Sequence, residues 1–274
     1  MLSQDEKNEL YSVAMELADA ARVAILPLFR ATSLPTDNKL EVGYDPVTEA
    51  DRNAEKVMRE ILAARRPQDA IVGEEYAVTA GTSGLTWVLD PIDGTRGFVS
   101  GTPTWGVLIA VSDDCGPLFG VIDQPFIGER FIGGFNKGRY DGPHSSCALA
   151  TRATEKLSAA TLFTTFPEVG TEHDRAGFQA VADQVQLVRY GMDCYAYALL
   201  ALGQIDLVVE AGLNMYDIHA PIAVIHAAGG IFTDWDGQPA HHGGQVVAAA
   251  NPACHRAALE LLQPFAEPSR TRSS

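Results

Sequence analysis

Two aspartates lie three residues apart in the stretch Trp-Val-Leu-Asp-Pro-Ile-Asp-Gly-Thr, residues 87–95. The apolar run before Asp90 predicts a buried strand, so Asp90 and Asp93 fall where that strand ends. Carboxylates that converge at a strand end suit a hard cation such as Mg²⁺, which prefers oxygen ligands. If Gly94 and Thr95 open a helix, their backbone amides face an anion such as phosphate.

A second acidic cluster strengthens the prediction of a cation site. Glu74 and Glu75 follow the apolar pair Ile71-Val72, which predicts another strand. The alternative is that Asp90-Pro91 and Asp93-Gly94 only mark turns, as such dipeptides often do. Two neighbouring strand ends that both carry acids favour the cation site over chance turns.

The spacing of the two aspartates argues against one phosphatase mechanism. Haloacid-dehalogenase-type enzymes carry Asp-x-Asp-Gly-Thr, with the nucleophilic aspartate two residues before the second one. Position 91 is proline in this chain, so that nucleophile is absent. The pattern therefore disfavours an aspartyl-phosphate intermediate and favours direct attack by a water that a metal activates.

The composition is that of an ordinary globular protein with an acidic balance. The chain has 274 residues, 46% hydrophobic and 20% charged, and its 20 basic and 35 acidic side chains give a formal net charge of -15. This charge disfavours nucleic acid and anionic membranes as partners, because no basic patch offsets it. It allows an anionic small-molecule substrate, because bound Mg²⁺ reverses the local field.

Neither a thiolate metal site nor a targeting segment is indicated. The four cysteines form no Cys-x-x-Cys pair. The polar N-terminus lacks the apolar core of a signal peptide, and no run of about 18 apolar residues predicts a membrane span. We therefore expect a cytoplasmic protein.

Two amphipathic helices are predicted near the start of the chain. Apolar residues at helical spacing predict them over residues 5–30 and 49–65. Thr48 and Asp51 form a capping-box pattern at the start of the second helix. Asp45-Pro46, just before it, favours an extended turn.

Strands and further helices alternate in the rest of the chain. Strands are predicted at residues 71–75, 85–90, 105–112, 118–124, 129–135, 161–165, 186–190, 205–209, 231–234 and 245–250. Helices are predicted at 172–184, at 193–202, from Asp217 to Gly229-Gly230 with Pro221 in the first turn, and at 252–263. Residues 136–138 fit a turn. Residues 141–156 show the weakest pattern and mark a soft subdomain boundary within a single domain, residues 5–265.

These motifs, in this order and spacing, resemble the inositol monophosphatase family. The match comprises Gly73-Glu74-Glu75, Asp90-Pro-Ile-Asp-Gly-Thr95, and Asp217 at the start of a helix that ends in Ala-Gly-Gly, and it covers residues 10–262. The resemblance implies a layered α/β fold, the αβαβα sandwich of fructose-1,6-bisphosphatase. It also implies a Mg²⁺-dependent enzyme, usually a homodimer, that hydrolyses a small-molecule phosphomonoester.

The resemblance further implies a role for each matching residue. Glu74 and Thr95 would orient the attacking water, Gly94 and Thr95 would hold the phosphate, and Asp45 and Thr48 would support the site from behind. The metal ligands would be Glu74, Asp90, Asp93, Asp217 and the backbone carbonyl of Ile92, of which Asp93 also counts as catalytic and Asp217 as substrate-binding.

Local structural explanations remain open for several of these acids. Asp45, Thr48 and Asp51 could serve only to cap a helix, and Asp217 could be an N-cap residue. Tyr216 stands where the family often has tryptophan, and we expect it to keep the packing role.

A second segment, Arg189-Tyr-Gly-Met-Asp-Cys-Tyr-Ala-Tyr197, bears on the alcohol part of the substrate. Inositol-preferring members usually carry a small apolar residue where Asp193 stands, and Glu210 matches a substrate-contacting glutamate of the family. Two acids suit an ammonium or imidazolium group better than a polyol. With Asp-Pro-Ile-Asp-Gly-Thr-Arg-Gly-Phe and Pro103-Thr-Trp-Gly-Val-Leu-Ile-Ala, the segment resembles the histidinol-phosphatases of this family.

That closer resemblance implies L-histidinol phosphate as the substrate, in histidine synthesis. Asp193 and Glu210 would bind its amine and imidazole, and Arg189 would brace the loop. The alternatives are an N-cap role for Asp193, an inositol or broad sugar-phosphate phosphatase, and a catalytically silent relative. The complete set of matching acids, with Thr95, argues against the silent relative.

Overall fold

Helices and two large β-sheets alternate in layers in the computed structural model, which describes residues 2–32, 36–38, 46–135, 137–166 and 168–267. The helices are α1 (Gln4–Ile25), α2 (Glu49–Arg65), α3 (Thr95–Ser100), α4 (Glu172–Ala182), α5 (Cys194–Ala201), α6 (Met215–Ala227) and α7 (Pro252–Leu262), with 3-10 turns at Leu157–Ala159 and Gln263–Phe265. The strands are β1 (Thr36–Asn38), β2 (Pro46–Thr48), β3 (Ala70–Gly73), β4 (Thr86–Asp93), β5 (Gly106–Asp113), β6 (Gly116–Gln124), β7 (Glu129–Gly134), β8 (Lys137–Asp141), β9 (Ser146–Ala148), β10 (Thr161–Thr164), β11 (Leu187–Tyr190), β12 (Leu207–Leu213), β13 (Ile231–Thr233) and β14 (Gly244–Ala249).

The two large sheets differ in strand direction. The seven-stranded sheet has the order β3-β4-β5-β6-β7-β8-β9, and its neighbours are antiparallel except for the parallel pair β3 and β4. The five-stranded sheet has the order β11-β10-β12-β14-β13, in which β10 is parallel to both β11 and β12. Strands β1 and β2 form a separate antiparallel pair.

The helices fill three layers around these sheets. Helices α1 and α2 bury apolar residues such as Leu17 and Met58 against one face of the seven-stranded sheet, beside Trp87. Helices α5 and α6 lie between the two sheets, and α6 is buried along most of its length because it is covered from both sides. Helices α4 and α7 cover the outer face of the five-stranded sheet around Trp235. The predicted αβαβα sandwich is confirmed.

The sequence missed two strands at one edge of the larger sheet. The turn predicted at residues 136–138 is wrong in its described part, because β8 begins at Lys137, and β9 lies in the segment with the weakest pattern. Both strands are largely exposed, and Tyr140 is the buried residue of β8. Without a buried face, an edge strand has no alternation of apolar and polar residues for the sequence to display.

The first helix is shorter than predicted. It ends at Ile25 instead of residue 30, and turns follow. Pro27 lacks an amide hydrogen, so it cannot continue the helical hydrogen bonding. Within the described ranges, none of the helices combines the length and the apolar composition that crossing a membrane requires.

Candidate active site

Strand β4 continues past the point where the sequence predicts its end. Pairing with β5 runs to Asp90, is interrupted by an irregularity, and resumes at Asp93. The Asp90 carboxylate accepts a hydrogen bond from the Ile92 amide at 3.0 Å. Such bulges redirect side chains, and here both aspartates line the same pocket.

The helix that carries Asp217 starts earlier than predicted. Helix α6 begins at Met215 with Asn214 as its N-cap, so the N-cap interpretation of Asp217 is wrong. Asp217 is the third helical residue, and its carboxylate accepts a hydrogen bond from the Asn214 amide at 2.6 Å. Pro221 lies inside the helix, beyond the first turn. Tyr216 packs against the core between the sheets, as expected.

Three carboxylates converge where β4 meets α6. Oxygens of Asp90, Asp93 and Asp217 lie within 4.8 Å of one another. Burial raises the pKa of Asp90 and of Asp93 well above the ordinary range, and repulsion by neighbouring carboxylates adds to the effect. Burial also raises the pKa of Asp217, to about 7. A divalent cation that prefers oxygen ligands would neutralise this repulsion, so the cluster fits a metal site.

Glu74 faces the same pocket from the turn after β3. Its charge contributes to the raised pKa of Asp90 and of Asp217. A buried acid of α2 that the sequence analysis missed, Glu55, holds this turn. The Glu55 carboxylate accepts hydrogen bonds from the amides of Glu75 at 2.7 Å and Tyr76 at 3.3 Å.

Thr95 connects the pocket to the start of α2. Its hydroxyl oxygen lies 3.1 Å from the Ile92 carbonyl and 3.4 Å from Oδ1 of Asp51. Asp51 is fully buried and completes the predicted capping box, accepting hydrogen bonds from the amide and the hydroxyl of Thr48 at 2.8 and 2.6 Å. Capping is therefore confirmed for Thr48 and Asp51. Asp45 lies outside the described residues.

Asp193 lies against the phosphate-binding motif predicted from the sequence. It occupies the N-cap position of α5, as the N-cap interpretation expects, but its φ is 45° and its side chain makes no capping hydrogen bond. The hydroxyl of Thr104 lies 3.5 Å from Oδ2 of Asp193. The next residue, Cys194, donates its amide to Asp93 at 2.6 Å. Burial, then the charge of Glu210, raises the pKa of Asp193 to about 7.

Glu210 is a buried acid inside β12, a strand that runs four residues past its predicted end at residue 209. Its Oε1 accepts hydrogen bonds from the amide and the hydroxyl of Thr165 at 2.9 and 2.5 Å. Its Oε2 accepts one from the Tyr197 hydroxyl at 2.6 Å. Burial raises the pKa of Glu210. These three hydrogen bonds fix the carboxylate at the wall of the pocket.

One pocket of about 300 Å³ is lined by the carboxylates around the candidate metal site (Glu74, Asp90, Asp93 and Asp217) and by the pair Asp193 and Glu210. Arg189 does not join them, since it is exposed on β11 and absent from the pocket lining. Its bracing role stays a prediction. The lining residues that the sequence analysis missed include Arg96, Thr165, Phe166 and Tyr197. Thr165 ends a predicted strand, but the sequence alone does not reveal that β10 lies beside the strand of Glu210.

Comparison with known proteins identifies the family. The model of the inositol monophosphatase family matches residues 6–267. The chain belongs to this family. It is 39% identical over 274 residues to the chloroplastic bifunctional phosphatase IMPL2 of Arabidopsis thaliana, covering 96% of this chain and 77% of that protein.

Two further relatives have similar lengths. The histidinol-phosphatase of Streptomyces coelicolor is 35% identical over 257 residues, covering 91% of this chain and 95% of that protein. The structure of an inositol monophosphatase from Zymomonas mobilis matches with a TM-score of 0.82 and 37% identity, over 96% of this chain and 100% of that chain. The chain is therefore a phosphatase of a generally metal-dependent family, and its acidic cluster fits that requirement.

Proposed function

We propose that this phosphatase uses Mg²⁺ to hydrolyse L-histidinol phosphate to L-histidinol and phosphate, a step of histidine synthesis. The observation that carries the proposal is the pair of a partly buried acid, Asp193, and a buried acid, Glu210, in the same pocket as the metal-site carboxylates. Burial raises the pKa of both carboxyl groups, and a neighbouring ammonium group would stabilise their ionised forms.

In this proposal, one group of residues binds the metal and the phosphate, and a second group binds the alcohol part of the substrate. Glu74, Asp90, Asp93, Asp217 and the Ile92 carbonyl hold Mg²⁺, and Gly94 and Thr95 hold the phosphate. When bound, Mg²⁺ offsets the charge of the phosphate and promotes ionisation of water. Asp193 and Glu210 hold the cationic alcohol that leaves.

The hydrogen bonds of Thr95 support its role with water. A hydroxyl has one proton, and both neighbours of the Thr95 oxygen, the Ile92 carbonyl and the Asp51 carboxylate, can only accept it. The Thr95 oxygen can therefore accept a proton from the attacking water as its own proton passes to the Asp51 carboxylate, whose Oδ1 lies 3.4 Å away. Thr95 and Glu74 together would direct that water toward the phosphorus atom.

The test compares two substrates and two variants. We expect Mg²⁺-dependent phosphate release from L-histidinol phosphate to exceed that from myo-inositol 1-phosphate, and EDTA to abolish both. Asp193→Asn should lower kcat/KM for histidinol phosphate by about 10- to 100-fold, as expected for the loss of a buried charge pair, and should spare inositol phosphate. Asp114→Asn, at an exposed turn, is the matched control. Equal losses on both substrates would contradict the proposal.

The second candidate is an inositol or broad-specificity sugar-phosphate phosphatase. The structural match to the Zymomonas mobilis inositol monophosphatase favours it. A preference for inositol phosphate in the same assay would support it, leaving the metal site unchanged and removing the amine role of Asp193.

The homodimer that is usual in the family is also proposed for this protein. Light scattering of the purified protein should give twice the chain mass of 29.3 kDa. A mass of one chain across a range of concentrations would contradict it.

A further inference from the structure

A cationic and an aromatic side chain meet inside the active-site pocket. The guanidinium carbon of Arg96 lies 4.8 Å from the centre of the Phe166 ring, a cation–π geometry. Both residues line the pocket, and among its described lining residues Arg96 is the one with a basic side chain. Phe166 is 42% exposed although it is large and apolar. No role in metal or phosphate binding accounts for this ring.

The ring is held near both acids proposed to bind the alcohol. Phe166 directly follows Thr165, whose amide and hydroxyl bind Glu210. Arg96 lies two residues after Gly94, against which the Asp193 side chain packs. The Arg96–Phe166 pair therefore joins the Glu210 wall of the pocket to the Asp193 wall.

We propose that Phe166 is the stacking surface for the imidazole ring of the substrate, and that the Arg96 guanidinium covers this surface until the imidazole displaces it. Guanidinium and imidazole are both planar, and both stack on aromatic faces. This inference rests on the proposed function and deepens it. Asp193 and Glu210 would bind the amine, and Phe166 would bind the ring.

Three substrates separate ring recognition from amine recognition. L-histidinol phosphate carries a ring and an amine, phosphoethanolamine carries an amine alone, and 2-phenylethyl phosphate carries a ring alone. Each is measured with Mg²⁺ as a substrate, or as a competitive inhibitor where turnover is slow. The variants are Phe166→Leu, Phe166→Trp and Asp193→Asn in the full chain.

We expect the Phe166 and Asp193 variants to affect different compounds. Phe166→Leu should lower kcat/KM, or weaken inhibition, by about 3- to 10-fold for the two ring compounds, the range of one aromatic pair. It should leave phosphoethanolamine within about twofold. Phe166→Trp should restore the ring compounds, and Asp193→Asn should affect the two amines instead.

Phe126 provides a matched control. It is 45% exposed and lies under the guanidinium of Arg30 at 4.6 Å, yet it does not line the pocket. Phe126→Leu should change none of the three compounds. If Phe126→Leu reproduces the effect of Phe166→Leu, the loss is structural and the proposal is wrong.

The outcomes distinguish this inference from the proposed function. Equal losses on all three compounds with Phe166→Leu, or no loss on either ring compound, would overturn the stacking role. If Asp193→Asn spares both amines, the histidinol-phosphatase proposal fails, whereas 2-phenylethyl phosphate still reports on Phe166. Stacking and amine binding are therefore tested by separate measurements.

Discussion

The carboxyl group of Asp193 lies where a side chain at Gly94 would have to be. A Cβ atom built on Gly94 would be 2.7 Å from Cγ of Asp193 and 2.9 Å from its Oδ2. The φ of Gly94 is 84°, which other residues adopt rarely. The proposed phosphate-binding residue and the proposed amine-binding residue therefore pack directly against each other, although they are far apart in the sequence.

Gly94→Ala should disrupt both the proposed phosphate site and the proposed amine site. We expect kcat/KM to fall by about 100-fold or more on every phosphomonoester, because a displacement of about 1 Å at a reacting centre has that effect. Gly128→Ala is the matched control, because its φ is 85° and a Cβ there would meet nothing within 4 Å. It should lower stability by about 1 kcal/mol and leave kinetics unchanged. Wild-type kinetics in Gly94→Ala would show that the contact has no functional importance.

Thr95→Val should remove the proton acceptor of the attacking water and keep the shape of the side chain. The expected loss in kcat is about 100- to 10,000-fold, the usual contribution of positioned proton transfer, with little change in KM. Thr95→Ser should retain most of the activity. Steady-state kinetics on the preferred substrate test this, and a Thr95→Val variant with normal kcat would remove Thr95 from the mechanism.

The raised pKa of Asp217 predicts that a rise in pH lowers the stability of the metal-free protein and raises its affinity for Mg²⁺. The pKa is about 7 in the folded protein, because of burial, and is near 4 in an unfolded chain. Without metal, the folded state therefore binds the proton more tightly, and the stability this gives is present below pH 4 and lost as the pH rises to 7. Bound Mg²⁺ requires the ionised group, so its affinity should rise over the same range.

Melting temperatures of wild type and Asp217→Asn, in EDTA and in Mg²⁺, measure this effect. In EDTA, Asp217→Asn should become more stable relative to wild type as the pH rises from 5 to 8. In Mg²⁺ the order should reverse at pH 8. A stability difference independent of pH in EDTA would contradict the raised pKa.

Glu55→Gln should loosen the turn that carries Glu74. The Glu55 side chain is fully buried beneath Gly73, accepts two amides of the turn, and pairs with Arg59 at 2.8 Å. We expect a loss of about 2 to 4 kcal/mol of unfolding free energy and weaker Mg²⁺ binding by calorimetry. Glu60→Gln, on the exposed side of the same helix, should change neither. Unchanged Mg²⁺ affinity in Glu55→Gln would limit Glu55 to a structural role.

The sequence predicted the acids of the site better than the contacts between them. Asp90 and Asp93 were found because their motif is local and follows an apolar strand. The bulge that lets β4 continue between them depends on pairing with β5, which no short pattern encodes. The contact of Gly94 with Asp193 and the pairing of Thr165 with Glu210 are set by how the sheets and α5 pack. Strand β9 was missed because it buries no residue.

The two β-sheets divide the pocket in a way that bears on how such phosphatases diversify. Asp90 and Asp93 lie at the end of β4 in one sheet, and Thr95 follows them. In the other sheet, Thr165 directly follows β10 and Glu210 lies in the parallel strand β12. If the proposed roles are right, mutations on the second sheet should exchange one alcohol for another while hydrolysis is retained. Asp193 is different, because it touches Gly94. A substitution at Asp193 would therefore need to preserve the proposed phosphate site as well as the proposed alcohol site. A library confined to positions 165, 166 and 210 would exploit this separation.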